Sequence, residues 1–82
     1  MYTFHEDAGH GWLEVTIDEL VAFGIANKIS RFSYRDADRV FLEEDLDANL
    51  FIKVYKNKFD KEPEYKIAFQ EHSFIRGLNS YE

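Results

Sequence analysis

The stretch VFLEEDLDANLF, residues 40–51, sets four carboxylates, Glu43, Glu44, Asp45 and Asp47, among large apolar side chains. Carboxylates at this density can hold a hard cation, imitate a run of phosphates, or open a helix. Asp45, Asp47 and Asn49 match the first three ligands of an EF-hand loop. That loop also needs a glycine at its sixth position and a bidentate glutamate at its twelfth. Leu50 and Lys56 stand there instead, and a lysine repels the ion. Asp36 and Asp38 do no better, because Arg39 and Val40 follow them. His5, Glu6, Asp7 and His10 are the right types for zinc, but the chain has no helical histidine pair and no cysteine. No metal or other cofactor is expected.

Catalytic chemistry finds equally little support. Ser30, Ser33, Ser73 and Ser80 lie in no Gly-x-Ser-x-Gly elbow. There is no glycine-rich phosphate loop. A histidine–carboxylate pair can be drawn from His10 and Glu14, as it can in most small proteins. The expectation is a protein that is not an enzyme.

For nucleic acid the candidates are Arg31, Arg35 and Arg39, interleaved with Phe32 and Tyr34. Aromatics beside arginines on a sheet are the makings of a single-strand platform. The competing explanation is that Arg35 and Arg39 pair with Asp36, Asp38 or Glu43 while the aromatics fill the core.

The elements that must position these residues can be read from capping and periodicity. YTFHED and WLEVT are strands joined by a turn at AGHG. Thr16 followed by Glu19 is a capping box, and it opens a two-turn helix closed by Gly24. ISRFSY alternates, with Ile29, Arg31 and Ser33 on one face, and pairs with RVFLEE across a turn at RDAD. DLDANLFIKVYKNKF is a helix, with Leu46, Leu50, Phe51, Val54 and Tyr55 at helical spacing. Asp45 or Asp47 is its natural N-cap. Beyond Pro63, EYKIAFQ alternates with Tyr65, Ile67 and Phe69 on one face, and HSFIRGLNSYE ends in a turn and a short helix. The order β-β-α-β-β-α-β predicts an α+β fold, an antiparallel sheet of 4–5 strands with two helices on one face.

Eighty-two residues make one domain, spanning 1–82. A chain this short buries only about 60% of its unfolded surface, and no disulfide is available to help. The fourteen aromatic residues, 17% of the chain, must close the core. No stretch reaches the length of a membrane span. The N-terminal residues lack the basic and apolar regions of a signal peptide, which points to the cytoplasm. The net charge of −6 is uneven: residues 1–50 carry −7 and residues 51–82 carry +1. An acidic chain is a poor direct binder of nucleic acid and a better match for a basic surface.

Taken together, HGWLEV, ISRFSY, VFLEEDLDA and HSFIR resemble a group of short proteins of bacteriophages and mobile elements. In that group a His-Gly-Trp-Leu start is followed by Ser-Tyr, Leu-Glu-Glu-Asp and Ser-Phe-Ile-Arg. The resemblance spans roughly residues 8–76 and implies a small acidic accessory protein in the cytoplasm of a bacterial host. Many such proteins disable host defences by binding, and anti-CRISPR proteins are a large class of them. The partner implied is a host protein or ribonucleoprotein with a basic surface. The acids expected to face it are Glu43, Glu44, Asp45 and Asp47, with Asp36 and Asp38 at the hairpin tip and Glu6, Asp7 and Glu14 beyond. At least one of Glu43 and Glu44 should be exposed. The alternatives are a homodimeric regulatory protein, with exposed aromatics or a sheet edge as its interface, and a weak single-strand binder using Arg31, Arg35, Arg39 and Phe32. Trp12, the only tryptophan, is expected in the core and would anchor an interface only if partly exposed.

Overall fold

The computed structural model describes residues 1–82. Its elements are β1 (Tyr2–Glu6), β2 (Gly11–Thr16), α1 (Ile17–Ala22), β3 (Tyr34–Asp36), β4 (Arg39–Glu43), α2 (Asp47–Phe59), β5 (Tyr65–Phe69) and β6 (Asn79–Ser80). Single 3-10 turns occupy Ala26–Lys28 and Phe74–Gly77. The class is α+β, with one six-stranded sheet in the order β5-β1-β2-β4-β3-β6.

Local chemistry sets several of these boundaries. Thr16 Oγ1 accepts from the Glu19 amide at 3.2 Å, and Glu19 Oε1 accepts from the Thr16 amide at 2.8 Å. This closes the capping box that starts α1. Gly24, at φ +73°, then takes the left-handed conformation that ends the helical turn cheaply. The β3–β4 hairpin is tighter than the sequence suggests. Asp36 pairs with Arg39, leaving a two-residue loop in which Ala37 takes φ 56°. β3 is also short: only Tyr34–Asp36 pair, and residues 29–33 are not strand.

Two features depart from the expected sheet. It has six strands, because Asn79–Ser80 adds to the free edge of β3. It is also mixed rather than antiparallel, because β1 and β5 run parallel, with Phe4 opposite Ile67. The physical reason is α2. A helix that leaves one strand and delivers the next to the same sheet brings it back in the same direction. β5 is therefore parallel to β4, and to β1, which it flanks.

Strand alternation gives the sheet two faces. Leu13 and Val15 of β2 and Val40 and Leu42 of β4 point toward the helices and meet Leu20 of α1 and Ala48 and Phe51 of α2. Both helices thus cover one face. Fully burying side chains of this kind is worth about 1.5–3 kcal/mol each. Tyr2 and Phe23 meet Phe51 as edge and stacked partners at 5.5 and 5.1 Å. On the opposite face no helix packs. There Trp12 and Phe41 form a second, smaller cluster with Ile75 from the C-terminal segment, flanked by Tyr34 and Leu78. Gly11 is fixed by packing: a Cβ at this position would lie 2.5 Å from the Phe4 ring.

Asp47 joins the two halves of the chain. It is 2% exposed, and its carboxylate accepts from the Ser30 amide at 3.0 Å, the Ser30 hydroxyl at 2.6 Å and the Ser33 hydroxyl at 2.5 Å. Ser33 Oγ in turn accepts from the Glu43 amide at 2.9 Å. The expected N-cap role belongs to neither candidate acid. Leu46 holds the N-cap position with no side-chain cap bond, while Asp47 spends its oxygens on the loop before β3.

Candidate functional site

The sheet face without helices carries a cleft of about 580 Å³. β2 contributes Trp12, β3 Tyr34 and β4 Glu43, neighbours across the sheet that point to this face. The loops at its rim contribute His10, Arg31, Phe32 and Leu46, and the C-terminal segment contributes Arg76 and Ser80. Trp12 itself is buried, and Phe32 is 67% exposed.

One ion pair organises this region. Asp7 Oδ1 accepts from the amides of Gly9 and His10, both at 2.9 Å, which fixes the β1–β2 turn. Arg76, 69 residues later, donates Nε to Asp7 Oδ2 at 2.6 Å and Nη2 to Oδ1 at 3.1 Å. The Arg76 hydrogen bonds, with help from the two amides, hold the Asp7 carboxyl well below the usual carboxylate range. The same bonds raise the guanidinium further. Arg76 Nη2 also donates to His10 Nδ1 at 3.0 Å, which requires that nitrogen to be unprotonated. The His10 ring stacks on Trp12 at 5.9 Å and 16°, and the Arg76 guanidinium lies 5.4 Å from the Trp12 ring centre. Tyr34 meets Trp12 edge-on at 6.3 Å. The cleft wall is thus a cross-braced set of polar and aromatic groups.

The six acids expected to share a surface do not do so. Glu43 is half-buried at the cleft and accepts from the Asp45 amide at 3.0 Å. Glu44 is exposed but lies on the other side of the sheet, with Oε1 3.1 Å from where a Gly11 Cβ would stand. Asp45 is exposed at the turn, and Asp47 is buried and fully engaged, so it leaves the contact set. Asp36 and Asp38 sit at the far end of β4, with Asp36 3.6 Å from Arg39. Strand alternation and the length of β4 disperse them, and this geometry offers no phosphate-like row. Asp7 and Glu14 are also engaged, with Arg76 and with His5 and Arg39 respectively.

The arginines divide in the same way. Arg39 bonds Glu14 at 3.2 Å and lies over Phe41 at 5.5 Å, and Arg35 Nε donates to its own hairpin at Ala37 O. Of the expected nucleic-acid face, Arg31, Phe32 and Tyr34 reach the cleft, and Arg35 and Arg39 do not. The histidine–carboxylate pair that forms is His5–Glu14, at 2.7 Å, rather than His10–Glu14. His5 is wedged between Phe41 and Phe74, and its one side-chain hydrogen bond is to Glu14. No group of three acidic or histidine side chains is placed to hold a metal ion. No helix is long and apolar enough to cross a membrane.

From sequence Arg76 has no assigned role, and His10, Tyr34 and Trp12 are read for other purposes: a zinc or catalytic pair, a single-strand platform and the core. A signal for them was nonetheless present. The four segments HGWLEV, ISRFSY, VFLEEDLDA and HSFIR each send at least one side chain to this cleft. Comparisons with protein-family models, with curated proteins and with solved structures find no match.

Proposed function

We propose that this chain is a small non-enzymatic accessory protein of the bacteriophage and mobile-element kind. It acts in the host cytoplasm by binding and inhibiting a host defence complex, as anti-CRISPR proteins do, and the open-face cleft is its contact surface. The setting rests on the sequence resemblance. The observation that carries the choice of surface is the convergence of four separated motifs on one cleft. Its composition supports a protein partner: Trp, Tyr and Arg are the residues that dominate binding energy at protein interfaces. Tyr34, Arg31 and Arg76 line it over the buried Trp12, with Phe32 and Leu46 exposed at the rim.

Charge supports a partner segment with basic character. Arg76 is matched by Asp7, which leaves Glu43 and the adjacent Asp45 against Arg31 alone. A projecting loop with a lysine or arginine could place its cation against Glu43 and its stem on the aromatics. Nucleic-acid mimicry is not part of this reading, because the acids are dispersed. Single-strand binding is the second reading, favoured by Arg31 and Phe32 standing together beside Tyr34 and Trp12.

The test is a phage-plating assay in bacteria with and without an active CRISPR or other defence system. Expression of the wild-type chain should restore plating only where the defence operates. Phe32→Ala with Arg31→Glu should abolish the effect, and Asp36→Lys with Asp38→Lys should keep it. Full protection by the cleft variant, or no protection by the wild type against any defence tried, refutes the proposal. A shift in Trp12 emission on adding single-stranded oligonucleotide, lost at high salt, would favour the second reading.

A further inference from the structure

The two edges of the sheet differ sharply. β6 is a polar pair, Asn79 and Ser80, too short to template another strand. β5, at the other edge, has five residues, with Tyr65, Ile67 and Phe69 exposed by 50%, 60% and 61%. These three point to the helix face, as the parallel register with Tyr2, Phe4 and Glu6 requires. An exposed apolar edge strand of this kind is normally blunted or covered.

The phase of the backbone hydrogen bonds makes this edge more specific. Tyr2 N donates to Glu64 O, and Gln70 N donates to Glu6 O. In a parallel ladder, alternate residues bond to the same neighbour. The even-numbered residues of β5 therefore face β1, and Tyr65, Ile67 and Phe69 direct their N–H and C=O groups outward. The residues with free backbone groups are the residues with bare apolar side chains.

We propose that β5 pairs antiparallel with β5 of a second copy of this chain, about a two-fold axis at Ile67, making one continuous twelve-stranded sheet. Self-complementarity identifies the occupant. Centred on Ile67, the hydrogen-bonded pairs are Ile67 with Ile67 and Tyr65 with Phe69, so the apolar triplets zip together. On the other face Lys66 meets Ala68, and Glu64 meets Gln70, with no like charges opposed. Moving the axis to Lys66 would set lysine against lysine in the closer, non-hydrogen-bonded pair. Moving it to Ala68 would set Tyr65 against Glu71. The interface lies away from the cleft, which lines β2, β3 and β4, and stands whether or not the cleft binds a host protein.

The three side chains bury roughly 100 Å² each per copy, which places the contact below about 1,200 Å² and predicts a weak, concentration-dependent dimer. Sedimentation velocity from about 10 µM to about 1 mM should show the wild type moving from monomer to dimer. Ile67→Lys, an exposed change, should stay monomeric throughout with an unchanged circular dichroism spectrum. The chain has no cysteine, so register can be read by disulfides. A mixture of Lys66→Cys and Ala68→Cys chains should cross-link more than either alone, since paired Cα atoms about 4.5 Å apart lie within disulfide range. A wild type that remains monomeric overturns the proposal and leaves the edge to a strand of another protein. A dimer indifferent to Ile67→Lys, or with no preference for the mixed pair, overturns it as well.

Discussion

Replacing Asp47 with alanine tests whether this acid is structural rather than a partner contact. The Asp47 carboxylate is 2% exposed and accepts from one amide and two hydroxyls in the loop before β3. Alanine would remove the acceptor and leave the donors. Ser33 is 0% exposed, and stranding its hydroxyl proton costs about 1–3 kcal/mol. The Ser30 amide, partly buried, adds a similar amount at most. The expected loss is about 2–5 kcal/mol, against a total of about 4–12 kcal/mol for a domain of this length. With a urea slope near 1 kcal/mol/M, the unfolding midpoint should fall by about 2 M or more. Ser33→Ala should cost less, about 1–3 kcal/mol, because Asp47 keeps its Ser30 donors and only the Glu43 amide is stranded. Chemical denaturation followed by far-ultraviolet circular dichroism measures both. A loss below about 1 kcal/mol for Asp47→Ala would show that these donors find water and that Asp47 is not a structural anchor.

Other outcomes follow from the same geometry. Asp7 has its folded pKa depressed by Arg76, so its contribution is present above its unfolded pKa and is lost as pH falls through about 4 and below. Asp7→Asn should flatten the acid limb of stability against pH. Tyr2 is shifted the opposite way: burial, then its 2.7 Å bond to Glu19, raises the phenol above its ordinary value. Its contribution is present below about pH 10 and is lost as pH rises beyond it, so Tyr2→Phe should flatten the alkaline limb of the same titration. Gly11→Ala should destabilise by about 1–3 kcal/mol through collision with Phe4, and Phe4→Leu in the same chain should recover part of that loss.

Local signals in the sequence carried through to structure. Thr16 and Glu19 announce α1 because both capping partners lie within one turn, and Gly24 ends it within the same reach. Alternation correctly placed Tyr65, Ile67 and Phe69 on one face of β5. Relations over distance were not legible in this way. Asp47 has the look of an N-cap, yet its partners are 14 and 17 residues away, and no local pattern marks Ser30 and Ser33 as the ends of its hydrogen bonds. The parallel β1–β5 pair is set by where α2 returns the chain. Asp7 and Arg76, 69 residues apart, carry no mutual signal in the sequence beyond opposite charge. The acids between Val40 and Phe51 are dense in sequence, but a strand end, a turn and a helix start send them in different directions.

The cleft as contact surface is tested most directly by quantitative capture from a bacterial lysate that carries an active defence system. Three baits are compared by mass spectrometry: the wild type, Arg31→Glu with Phe32→Ala, and Asp36→Lys with Asp38→Lys. Both pairs change exposed side chains and leave the core untouched. The expected result is a defence component retained by the wild type and by the Asp36/Asp38 variant and lost from the Arg31/Phe32 variant. A component held equally by all three baits, or lost only when Asp36 and Asp38 are reversed, would contradict the assignment of the cleft.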